Sequence, residues 1–171
     1  MTIAPHSIAT ATDILYREAA ALDEQAWDDW LALFHPDCTF WVPTWLGEHE
    51  PASDPAKQLS HMYYNTRGGL EDRVWRVRSG RSPASSPLPR TTHMVGNILV
   101  TEASADAIAV KSHWTVHTFS FRAMDTKVMH GRSVYRLERR GDAGQAGWAI
   151  ASKIVYVHND YVATMLDFYN I

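Results

Sequence analysis

The run "IAVKSHWTVH", Ile108 to His117, decides the fold. Ile108, Val110, Trp114 and Val116 alternate with Lys111, His113, Thr115 and His117. A period of two gives a strand one apolar and one polar face. This run lies in a predicted strand over 106–119, and 92–102, 127–139 and 147–158 predict three more. "GDAGQAG", Gly141 to Gly147, predicts the hairpin loop between the last two.

Before the strands the period is helical. Ile8, Ala11, Leu15, Ala19 and Leu22 predict a helix over 8–22, with Arg17 and Glu18 off the stripe. Trp27, Trp30, Leu31 and Phe34 predict a second helix over 24–34, ended by Pro36. "CTFWVP" reads as a strand stopped by Pro43. Asp54 before Pro55 predicts a helix start, running to Tyr64. Gly68 and Gly69 break that pattern, and Leu70, Val74 and Val77 mark a short basic helix. "SGRSPASSPLPR" has three prolines and no period, so it is a loop. Helices first and long antiparallel strands later is the α+β pattern. The expected architecture is one domain, 1–171, with a curved antiparallel sheet wrapped around N-terminal helices. That order is similar to the cone of the nuclear-transport-factor-2-like superfamily.

Composition narrows the chemistry. The 171 residues are 46% hydrophobic and 20% charged, the balance of a water-soluble globular chain. No apolar run approaches the roughly 20 residues of a membrane helix. The first residues carry no basic segment followed by an apolar one, which predicts a cytoplasmic protein. A net charge of −3 gives no reason to expect nucleic acid. Cys38 is the single cysteine, so a Rieske cluster, with two Cys and two His, cannot be built from this chain alone. P-loop, dinucleotide and nucleophile-elbow motifs are absent.

Three groups of residues invite a functional reading. His113 and His117 have zinc-protease spacing, but on a strand they lie ~13 Å apart, too far for one zinc. His93, in "RTTHMVGN" (Arg90–Asn97), could act as a general base paired with Asp37, or could hold the loop–strand junction by hydrogen bonds. Arg67, Arg73, Arg76, Arg78, Arg81 and Arg90 could meet an acidic partner, or could pair locally with Glu71 and Asp72. Seven tryptophans favour an oligomer. The Trp27/Trp30 and Tyr63/Tyr64 pairs read as core.

The sequence as a whole resembles a known family. "LYREAAALDEQAWDDWLALFHPDCTFWVP" resembles the opening of the small (β) subunits of aromatic-ring-hydroxylating dioxygenases. "SHMYYNTRGGLEDRVWRVRSGRSPASSPLPRTTHMVGN" and "NDYVATMLDFYNI" resemble the benzoate, toluate, halobenzoate and anthranilate branch. The likeness runs from Leu15 to Ile171, with Gly80 and Pro83 departing from the branch pattern. The resemblance implies a β subunit with no catalytic, cofactor-binding or metal-binding residues of its own. It implies a partner α subunit holding a Rieske cluster and a mononuclear non-haem iron. NADH supplies electrons there through a reductase, and the product is a cis-dihydrodiol. It also implies three α and three β chains with β–β contacts, no membrane association, and His93 as a fixture of the loop junction. The alternatives are a stand-alone cone-fold dehydratase or isomerase using His93 and Asp37, and a non-catalytic module that binds a small aromatic acid.

Overall fold

The computed structural model describes residues 3–80, 86–141, 147–162 and 165–171. Pro5, whose missing N–H costs nothing in a first turn, opens helix α1 (Pro5–Asp23). Its buried residues are Ser7, Ala11, Ile14, Leu15, Glu18, Ala21 and Leu22. Glu18 therefore lies inside rather than off the stripe, and Ile8 is exposed. The helix sits against the sheet on more than one row of side chains, so a single apolar stripe understates what is covered.

Helix α2 (Trp27–Ala32) is shorter than expected. The Leu33 carbonyl accepts from Ile150 N at 2.8 Å, which draws the chain into strand β1 (Phe34–Pro43). The helix expected over 54–64 is instead a turn followed by strand β2 (Ser60–Tyr64). The Asp54 carboxylate accepts from Ala56 N at 2.9 Å, and Gln58 Oε1 accepts from Ser53 N and Asp54 N. These bonds close one turn only. "SHMYY" then pairs antiparallel with β1, with Tyr64 opposite Phe40 and Met62 opposite Val42.

Helix α3 (Arg67–Arg78) buries Leu70, Val74 and Val77 as predicted, but Gly68 and Gly69 lie inside its first turn. A Cβ on Gly69 would stand 2.4 Å from Tyr64 Cδ1, so glycine permits the close turn out of β2. Gly80 follows the helix with φ +64°, the left-handed position favoured by glycine just past a helix end. Arg81 and the centre of the proline loop lie outside the described residues, as does most of "GDAGQAG".

The four long strands form where expected: β3 (Arg90–Ala103), β4 (Ala107–Ser120), β5 (Asp125–Arg139) and β6 (Trp148–Val157). Among the described residues six strands make one curved sheet, ordered β2-β1-β6-β5-β4-β3. One pairing departs from the antiparallel expectation, because β1 runs parallel to β6. The intervening helix and strands let the chain return on the far edge. Register shifts in β3, at Gly96/Leu99 and Val100/Glu102, are the irregularities that bend a strand. Along β4, Ile108, Val110, Ser112, Trp114 and Val116 all point into the core. Trp30 stacks on Phe168 at 4.6 Å and meets Phe34 edge-on at 5.1 Å. No helix among the described residues is long and apolar enough to cross a membrane.

Candidate functional site

His93 lies at the concave side of the sheet, and its partner is Asp23 rather than Asp37. Its Nδ1 is 2.5 Å from Asp23 Oδ1, and its backbone N–H donates to Asp23 Oδ2 at 2.8 Å. The Thr91 hydroxyl donates to Oδ1 at 2.9 Å. Asp37 is exposed on β1, where its backbone N–H donates to His35 Nδ1 at 3.2 Å. The expected His93–Asp37 dyad does not form. Asp23 is the last residue of α1, where the helix dipole disfavours a carboxylate. The donors from β3 compensate it and fix the end of the helix to the sheet. An acid at a helix C-terminus was the sequence signal that this residue has a tertiary partner.

Burial pushes the Asp23 carboxyl up, but the His93 ring and amide, the His93 charge and the Thr91 hydroxyl outweigh it. The net shift is below the ordinary value of 3.8. A carboxylate lowered on folding stabilises the protein fully above its unfolded pKa and loses that contribution as pH falls through the folded one. The stability gap between wild type and Asp23→Asn, read by urea unfolding, should be present above pH 3.8 and shrink as pH falls below it. A gap that persisted undiminished at the lowest pH would refute this role.

A second polar group lies deeper. Lys153 Nζ is 2.8 Å from Glu18 Oε1, and Tyr135 O–H donates to Glu18 Oε2 at 3.0 Å. Lys153 is 5% exposed and Glu18 2%. The pairing follows from register, since Tyr135 lies opposite Lys153 across β5 and β6. Burial, then the neighbouring Glu18 carboxylate, push the Tyr135 phenol well above its ordinary range. These groups, His93, Trp114 and Ser133 enclose a cavity of about 20 Å³. Small-molecule sites run to roughly 300–1,000 Å³. The interior has the charged groups of an active site but no room for an aromatic ring. Among the described residues, His93 and Asp37 do not line the common cavity that the dehydratase reading requires. A wider groove of about 450 Å³ runs along α1 and α2 past Arg17, Ala21, Glu24 and Asp29, away from this cluster.

The arginine segment divides. Arg67 reaches Glu71 at 2.9 Å and the Phe34 carbonyl at 3.3 Å. Arg73 holds Asp167 at 2.6 Å, and Arg78 holds Asp28 at 2.8 Å. Arg90 lies 4.8 Å over the Phe121 ring. These four hold the fold together locally. On the outer side of α3, Arg76 is exposed and its neighbour Trp75 is 66% exposed. Trp27 and Trp30 are core as expected, whereas Tyr63 is exposed.

The donor set does not fit the cofactors of an oxygenase. Burial pushes the Cys38 thiol up to about 11, so it is neither a thiolate ligand nor a nucleophile at neutral pH. His113 and His117 stand exposed on the outer face of β4. No three His, Cys, Asp or Glu side chains converge as metal ligands among the described residues.

Similarity to known proteins bears directly on what this fold serves. Residues 17–164 match the family described as ring hydroxylating beta subunit. The chain is 36% identical to the 2-halobenzoate 1,2-dioxygenase small subunit of Burkholderia cepacia, covering 100% of both. It is 37% identical to the benzoate 1,2-dioxygenase subunit beta of Acinetobacter baylyi, covering 96% of this chain and 94% of that one. The crystal structure of the benzoate 1,2-dioxygenase beta subunit from Burkholderia mallei superposes with a TM-score of 0.76 at 32% identity, covering 100% and 99%. Fold and sequence agree: this chain belongs to the ring-hydroxylating dioxygenase β-subunit family.

Proposed function

We propose that this chain is the non-catalytic β subunit of a benzoate-class ring-hydroxylating dioxygenase and serves to assemble and stabilise the catalytic α subunits. The observation that carries the reading is full-length similarity to the small subunits of 2-halobenzoate and benzoate 1,2-dioxygenases. The enclosed interior supports it, since about 20 Å³ admits no aromatic substrate. All 171 residues then act as one domain without catalytic, cofactor or metal residues. The Rieske cluster and mononuclear iron reside in α, which receives electrons from NADH through a reductase. The working complex holds three α and three β chains in the cytoplasm, with β–β as well as α–β contacts.

Trp75 and Arg76 are the proposed anchors of α contact. Exposed Trp and Arg are the residue types that dominate interface energies, each worth ~2 kcal/mol or more at a hot spot. Co-expression with a benzoate-class α subunit tests the reading. The two chains should co-purify in equal amounts, and Trp75→Ala with Arg76→Glu should reduce recovery of the complex while β remains folded. Wild-type chains that do not co-purify, with α fully active alone, would contradict it.

A further inference from the structure

We propose that the interior cavity beside His93 is a binding site for one water molecule, bridging His93 Nε2 and Trp114 Nε1. Both atoms are buried and neither has a hydrogen-bond partner. Both side chains line the same cavity. They stand on adjacent strands, with Trp114 opposite Val95, two residues beyond His93. The His93 side chain is 5% exposed, and its Nε2 atom is buried.

The two atoms are chemically complementary through water. Asp23 Oδ1 lies 2.5 Å from His93 Nδ1, and a carboxylate only accepts, so Nδ1 carries the proton. At a pH where the ring is neutral, Nε2 is then an acceptor. The Trp114 indole N–H is a donor only. One water donates to the imidazole and accepts from the indole, satisfying both. Ser133 lines the same cavity and offers a hydroxyl for a third bond. The space fits a single occupant, because a cavity needs ~10–15 Å³ to hold one water and this one measures about 20 Å³. Buried waters typically sit where two to four polar groups converge. An organic ligand has no room here, and a small anion would meet the lone pair of Nε2.

The water would join three elements at one point: α1 through Asp23, β3 through His93 and β4 through Trp114. A high-resolution crystal structure of the wild-type protein tests the site. The expected result is one density peak within ~3.2 Å of both His93 Nε2 and Trp114 Nε1. A dry cavity, or an indole N–H bonded directly to the imidazole, would overturn the proposal. Oxygen-17 relaxation dispersion gives a second reading in solution. Trp114→Phe removes one of the two partners and should lose one long-lived internal water relative to wild type. An unchanged count in the folded variant would also overturn it.

Discussion

Replacing Glu18 with leucine is expected to destabilise the protein by about 3–5 kcal/mol, the usual cost of removing one partner from a buried ion pair. Without its carboxylate the Lys153 ammonium would remain 5% exposed, with the rings of Phe40 and Tyr135 at 5.6 and 5.5 Å. Tyr135 would lose its acceptor as well. Lys153→Met should cost a similar amount by stranding the carboxylate. The double variant Glu18→Leu/Lys153→Met should recover most of the loss, because apolar side chains of like volume replace a buried pair at little net cost. Urea unfolding of the singles and the double measures this. Single variants costing under ~1 kcal/mol, the range of an exposed pair, would show that Glu18 and Lys153 reach water.

Trp30→Ala should cost about 3–5 kcal/mol, the range for a large aromatic removed from a core. Trp30 is fully buried, between Phe34 on β1 and Phe168 near the C-terminal end. It joins the helical layer to the sheet and to the segment that also carries Asp167, the partner of Arg73. Loss of the indole should therefore weaken near-ultraviolet circular dichroism from several aromatic residues together. Trp30→Phe should cost much less, because the indole N–H is buried without a partner and contributes no hydrogen bond. An alanine variant as stable as wild type would remove this residue from the core account.

The sheet was legible because one face of each long strand is covered and the other is not. In Ile108–His117 the period of two is the same in the sequence and in the burial pattern. What failed depended on partners distant in sequence. Asp54-Pro55 is a sound local start for a helix, yet the residues after it form β2 because β1 offers an edge to pair with. The parallel β1–β6 pairing joins segments about a hundred residues apart, and no local pattern encodes it. Glu18 looked like a surface residue because its countercharge, Lys153, is 135 positions away. The carboxylate beside His93 comes from the end of α1 rather than from Asp37 on the first strand, and no local pattern links the two. The family resemblance favours His93 as a structural fixture, and its two hydrogen bonds to Asp23, beside a third to Asp23 from Thr91, fit that role.

If the charged interior supports the fold and takes no part in turnover, His93→Asn in β should leave turnover per assembled α subunit untouched. Asparagine can keep an N–H toward Asp23 but removes Nε2. The expected result is an assembled complex with turnover unchanged. A complex that assembles normally but turns over ~100-fold more slowly, the scale of a lost general base, would contradict it.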